Sequence, residues 1–181
     1  MFRVLTERPQ DGVEVETLFD LAFVPGRAAL SSYHLRHGVE PARALCLVAR
    51  DAFDALAGAI RYWPVLIGAA GAPALLLGPV AVHPTHQGEG LGALLIGASL
   101  ERAREAGWTR AVLVGDEPYY RRFGFSRKLG EALDYPPPTN PERLLARALA
   151  DGAFDGVFGM VRRWEGPAPG DAILAPGAAA Q

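Results

Sequence analysis

The chain has 181 residues, half of them hydrophobic and 21% charged, with a formal net charge of -2. That length supports one domain with a substantial core, and the near-neutral charge gives no electrostatic case for a nucleic-acid partner. The single cysteine, Cys46, excludes an internal disulfide and any multi-cysteine metal site. Acids interrupt the opening stretch MFRVLTERPQDGVE before any long apolar run, so it does not read as a signal peptide. No window reaches the roughly 18 uncharged apolar residues of a membrane span. Trp63 to Val82 comes nearest, and its prolines and glycines make it a hairpin. The expected location is the cytoplasm, with no membrane partner. One lysine beside many arginines suggests a GC-rich bacterial genome.

In chain order, Phe2 to Thr6 reads as a first strand. Asp11 to Phe23 carries Val15, Leu18, Phe19 and Ala22 at helical spacing and stops at Pro25-Gly26. Arg27 to Leu35 reads as a second short helix. Ala44 to Ala49, Leu56 to Ile67 and Ala74 to Val82 read as strands joined by tight turns, hence antiparallel. Gly90 to Ala106 is helical, with Leu91, Leu94, Leu95 and Ala98 as its apolar face. The wholly apolar Ala111 to Val114 reads as a buried strand, parallel to the one before the helix. Glu117 to Phe123 reads as a short helix, Asp134 to Pro141 as a proline-rich loop, and Pro141 to Ala150 has helix character. Val157 to Trp164 reads as the last strand. Residues 1–164 then form the domain. Glu165 to Gln181 offers only Ile173 and Leu174 as large aliphatics, so a disordered tail is expected there.

The most informative segment is Leu75 to Gly92, LLLGPVAVHPTHQGEGLG. An apolar strand meets a polar turn, and three alternate glycines then open a helix. Backbone N–H groups at such a helix start are suited to phosphate. Gly88 to Ala93 also satisfies the dinucleotide pattern G-x-G-x-x-G/A, but five residues separate Val82 from Gly88 and too little chain follows for further βαβ units. Pro79 cannot donate to a strand ladder, so Gly78-Pro79 marks a bulge or an edge. His83-Pro-Thr-His86 has ligand-like spacing without a third ligand nearby, so no metal is expected. Arg121, Arg122, Arg127 and Lys128 form a basic patch, read either as a solvated face or as a contact for a nucleotide phosphate.

Gln87-Gly88-Glu89-Gly90-Leu91-Gly92 fits Gln/Arg-x-x-Gly-x-Gly/Ala, and Tyr120-Arg-Arg-Phe-Gly124-Phe125 fits Tyr-x-x-x-Gly-Phe. Both patterns resemble the GNAT superfamily of acetyl-CoA-dependent N-acetyltransferases, over about Ala44 to Phe125. The wording LGPVAV, HQGEGLG and GDEPYYRRFGF resembles a small bacterial subgroup of that superfamily. The resemblance implies a single α/β (α+β) domain with a mixed, strongly bent sheet of six or seven strands flanked by helices. It implies acetyl transfer from acetyl-CoA, as cosubstrate, to a primary amine by direct attack in a ternary complex. The acceptor is an unidentified small-molecule or protein amine.

By the same resemblance, Gln87, Gly88, Glu89, Gly90, Leu91 and Gly92 cradle the pyrophosphate, with Tyr119 beside the coenzyme. Ala81 and Val82 offer backbone groups to pantetheine, and an N–H near Val80 or Ala81 polarises the thioester carbonyl. Tyr120 is the candidate acid for the departing thiolate. Many relatives carry a glutamate base on the strand before the loop, and LLLGPVAV has none. Asp116, His83, a water chain or bulk solvent remain as the base. The resemblance leaves room for a homodimer. A non-catalytic acyl-CoA- or nucleotide-binding sensor is the alternative reading, in which Tyr120 would not need its hydroxyl.

Overall fold

The protein is described by a computed structural model covering residues 1–23, 26–27 and 30–169. Its elements in order are β1 (Arg3–Thr6), α1 (Gly12–Ala22), α2 (Ser31–Arg36), β2 (Leu47–Arg50), β3 (Leu56–Ile67), β4 (Ala72–Val82), α3 (Leu91–Glu105), β5 (Arg110–Val114), α4 (Glu117–Tyr120), α5 (Arg127–Gly130), β6 (Leu133–Asp134), β7 (Leu144–Ala148) and β8 (Gly159–Arg163). Eight strands form one mixed sheet, in the order β1-β2-β3-β4-β5-β7. β8 pairs with β3 beyond the end of β2, and β6 pairs with β8.

Strand alternation places two helices on opposite faces of this sheet. Leu47, Ala49 and Ile60 pack toward Leu91, Leu95, Leu100 and Ala103 of α3. The intervening Val48 and Ala59, with Ala81, pack toward Val15, Leu18 and Phe19 of α1. A second core gathers Leu35 of α2 with Val65, Leu76, Val112, Leu144 and Val161 at the far end of the sheet. Among the described residues, no helix is long and apolar enough to cross a membrane.

Two polar contacts fix elements to one another inside this packing. Arg50 on β2 donates to Asp11, just before α1, at 2.9 Å, and both side chains are at least nine-tenths buried. Arg8 donates to the same carboxylate from the surface. The carboxyl of Asp11 is held down at about 2, first by Arg8 and then by Arg50. In the main core the Tyr62 hydroxyl lies 2.9 Å from Ser99 Oγ, which itself donates to the Leu95 carbonyl at 2.7 Å.

Several expectations need correction. Pro141 to Ala150 is not a helix. A single 3₁₀ turn, Pro141–Arg143, leads into β7, where Ala146 pairs with Val112 and Leu145 with Leu113. Pairing with β5 on one side and a bridge to Ser126 on the other override the local pattern. The sheet has eight strands rather than six or seven because two-residue β6 carries no readable alternation. On α3, Leu94 is exposed, and Leu91, Leu95, Ile96, Ser99, Leu100 and Ala103 make the buried face. In β8 only Val161 is fully buried, while Met160 and the preceding Phe158 are exposed. Most of the expected tail, residues 170–181, lies outside the described residues.

Candidate active site

The site begins where β4 and β5 separate. Their parallel pairing covers only Leu75 with Ala111 and Leu76 with Val112, although both strands continue beyond it. Across β4, Ile60 faces Val80 and Tyr62 faces Leu77, so Gly78 and Pro79 together oppose the single residue Arg61. This is a β-bulge, and it bends β4 at the point of separation. A cleft of about 340 Å³ opens there, lined by Leu77 to Val80 of β4, Leu113 and Val114 of β5, and the segment that follows β5.

Ladder geometry determines which backbone groups of β4 face this cleft. His83 N–H donates to the Ala57 carbonyl at 2.8 Å, which makes Gly58 and Val82 a pair that exchanges no hydrogen bonds. Alternation then gives Ala81 a hydrogen-bonded pairing with Ala59 and leaves the N–H and C=O of Val80 turned away from β3. Val80 and Val82 therefore present backbone groups on the side vacated by β5. Those of Ala81 are committed to β3, which separates Ala81 from Val80 as an N–H source for the cleft.

At the mouth of the loop, Gly90 caps α3 with φ at +76°, and Gly88 has φ at +83°. Nothing lies within 4 Å of where a Cβ would stand on either residue. The first i→i-4 bond of α3 runs from Leu94 to Gly90, so the N–H groups of Leu91, Gly92 and Ala93 have no intrahelical acceptor. Gln87, Gly88, Glu89 and Gly90 are exposed. Tyr119 links this loop to the cleft: its Oη lies 3.3 Å from the Cβ position of Gly92, and its ring also lines the cleft. Arg122 stacks on that ring at 4.4 Å.

The opposite wall carries Asp116 and Tyr120. The Asp116 carbonyl accepts from the N–H groups of Tyr119 and Tyr120 and so starts α4. Its carboxylate is exposed and takes a bond from Arg143 Nε at 3.2 Å. The Tyr120 ring sits edge-on to Phe125 and Tyr119, and burial pushes its hydroxyl up to about 12. The structure therefore brings Val80, Asp116, Tyr119 and Tyr120 to one cleft. His83 is not among the cleft-lining residues, and its Nδ1 lies 2.8 Å from Thr85 Oγ1. His86 pairs with Glu89. Cys46 lies outside the cleft, and burial pushes its thiol up to about 12.

Sequence reasoning missed Gly115 and Arg36. Gly115 carried a signal, as a glycine between a buried strand and the tyrosine segment. Arg36 carried none, because a lone arginine at a helix end reads as solvated. In the structure Arg36 is 9% exposed, sits between the rings of Tyr33 and Trp63, and lines the cleft.

Comparison with known proteins agrees with this architecture. A family model described as an acetyltransferase (GNAT) domain matches residues 42–127. An uncharacterized N-acetyltransferase, YhbS, from Escherichia coli K12 is 28% identical over 90% of this chain and 96% of its own length. The crystal structure of E. coli YhbS in complex with CoA superposes with a TM-score of 0.76 at 29% identity, covering 91% of this chain and 89% of that one. A GNAT family acetyltransferase from Brucella melitensis, solved in complex with acetyl-CoA, is 34% identical, with a TM-score of 0.62 over 83% of this chain and 89% of that one. With the splayed parallel strands, the bulge and the glycine-capped helix in place, the chain belongs to the GNAT family of N-acetyltransferases.

Proposed function

We propose that this chain binds acetyl-CoA along the glycine loop and the β4–β5 cleft and transfers the acetyl group to a primary amine by direct attack. The observation that carries this reading is the convergence of an outward-facing Val80 N–H and the half-buried Tyr120 on one cleft. The residues present fit the cosubstrate. Free N–H groups and open space at Gly88 and Gly90 suit a pyrophosphate, and the unpaired edge of β4 suits an extended amide-bearing arm. Relatives solved with CoA and acetyl-CoA support the same ligand.

When bound, the thioester supplies the electrophilic carbonyl. The Val80 N–H donates to the carbonyl oxygen as it gains charge under attack by the amine nitrogen. The new C–N bond forms, the C–S bond breaks, and the Tyr120 hydroxyl gives its proton to the departing sulfur. The amine loses its proton to Asp116, to a water chain or to bulk solvent, and Tyr120 is reprotonated from solvent. A covalent acetyl-enzyme through Cys46 does not suit a thiol that is buried, protonated and away from the cleft.

The test combines thermal melting with thiol release. CoA and acetyl-CoA should raise the Tm, and NAD should not. Gly92→Glu, which puts bulk and negative charge at the loop, should abolish that rise. A shift with NAD alone would overturn the assignment. Binding of acetyl-CoA without thiol release across a broad amine panel would favour the sensor reading.

A further inference from the structure

Arg36 closes α2, and its guanidinium is the one cation of the cleft wall without a carboxylate partner among the described residues. Arg27 is paired with Glu16 and Asp20, and Arg143 with Asp116. The Nε and Nη1 atoms of Arg36 are buried and meet no acceptor among the described residues. Its Cζ lies 4.7 Å from the Tyr33 ring centroid and 4.9 Å from that of Trp63, so two rings hold the guanidinium in place. Its Nη2 lies 3.6 Å from the Cβ position of Gly78, at the bulge that lines the cleft. A buried charge left in this state is costly unless something pairs with it. Aromatic stacking offsets only part of that cost and satisfies no N–H group.

Resting on the acetyltransferase reading above, we propose that Arg36 is the anchor for a carboxylate on the acceptor, and that the acceptor class is small amino acids. Nη2 is the guanidinium nitrogen that is not enclosed; it stands at the bulge and can give a charge-assisted bond to a carboxylate. Only one positive charge of the wall is left unmatched, which suits a monoanion better than a dianionic phosphate. Gly78 and Val80 flank Pro79 in the bulge, so the anchor and the thioester site lie on the same short stretch of β4. That closeness suits an acceptor whose amine and carboxylate are near each other, as in a small amino acid. Arg36 acts on binding and orientation, so it is a positioning residue for the reaction at Val80 and Tyr120.

The experiment uses the full chain with acetyl-CoA and two matched acceptor sets: the twenty L-amino acids with β-alanine, and the corresponding amino acid amides. Thiol release gives kcat/KM, calorimetry gives acetyl-CoA affinity, and melting gives Tm. The wild type should favour at least one acid over its amide by roughly tenfold or more, the scale of a charge-assisted hydrogen bond. Arg36→Met should erase that preference through KM, leave acetyl-CoA affinity unchanged and hold or raise the Tm, because it removes an unpaired buried charge. Arg36→Lys keeps the charge without the planar group that Tyr33 and Trp63 hold, and should restore only part of the preference. Amides used as well as acids by the wild type, or a preference that survives Arg36→Met, would overturn the proposal. Acetyl-CoA binding with no amino acid acetylated would overturn it too, while leaving the acetyltransferase reading intact. Failure to bind acetyl-CoA at all would instead sink that reading.

Discussion

Gly115 and Tyr120 are in direct contact, and the contact requires glycine: a Cβ on Gly115 would stand 2.5 Å from Tyr120 Cε2. The last turn out of β5 thus seats a ring that lines the cleft. Gly115→Ala should push that ring out of place without touching the glycine loop. The expected result is a loss of turnover of roughly 10²-fold, the scale of a displacement near 1 Å in a reacting constellation. Calorimetry should find acetyl-CoA affinity changed by far less. Equal losses in both would mean that the whole wall has moved.

Tyr120→Phe keeps the ring and removes the hydroxyl proposed to protonate the departing sulfur. The expected fall in kcat is roughly 10²-fold with acetyl-CoA affinity preserved. Because burial raises the hydroxyl to about 12, it stays protonated through neutral and mildly alkaline pH. The wild-type kcat/KM should therefore climb as the acceptor amine loses its proton, with no falling limb from Tyr120 below about pH 11. A falling limb near pH 10 that vanishes in the phenylalanine variant would show an ordinary phenol instead.

Acid stability should depend on Asp11. Its carboxyl titrates near 2 in the native state and near the ordinary 3.9 when unfolded, so the unfolded chain takes up the proton first. The contribution is complete above about pH 5 and fades as the pH falls from about 4 to 2, a change of about 2 kcal/mol. Asp11→Asn should cost about 2–4 kcal/mol at pH 7, because buried Arg50 loses its buried carboxylate and keeps the half-exposed Glu14 and the Asp54 carbonyl. Urea melts at pH 7 and pH 2.5 should show the gap to wild type narrowing at the lower pH. A gap that stays constant would place the effect in packing.

The Tyr62–Ser99 contact ties β3 to α3. Since Ser99 gives its hydrogen to the Leu95 carbonyl, Tyr62 is the donor to Ser99. Tyr62→Phe removes one bond and leaves Ser99 satisfied, for a loss of about 1 kcal/mol. Ser99→Ala strands the Tyr62 hydroxyl in a dry core and should cost more, about 1–3 kcal/mol. Denaturant midpoints in the reverse order would place water beside that hydroxyl.

The parts of this protein that could be read from sequence are those in which one residue type answers to one local requirement. Alternate glycines after a polar turn opened a helix, and Pro79 forbade a ladder bond in the strand that ends at Val82. The parts that were illegible depend on partners distant in the chain. Leu144, Leu145, Ala148 and Leu149 suit a helix as well as a strand, and β5 with the Ser126 bridge selects the strand for Leu144–Ala148. Leu94 satisfies the helical stripe, yet it faces solvent because α3 is rotated toward Ile96 and Leu100. Arg36 looks like any surface arginine until Trp63, 27 positions later, covers it. Ala81 and Val80 are neighbours with the same composition of backbone atoms, and only the register with β3 tells them apart.

The extra residue in β4 also decides parity. Tyr62 turns its carbonyl away from β4 to accept from Ala42 N–H, and Ile60 two residues earlier has the same phase. Had the two strands run evenly from Leu77, the place opposite Ile60 would have fallen to Pro79, and the next outward place to Ala81. A proline there has no hydrogen to give, so the slot would be mute. By spending one residue at Gly78-Pro79, the strand shifts its odd and even positions and brings Val80 into the slot as a donor. The same short irregularity that opens the cleft thus also chooses the group that speaks into it.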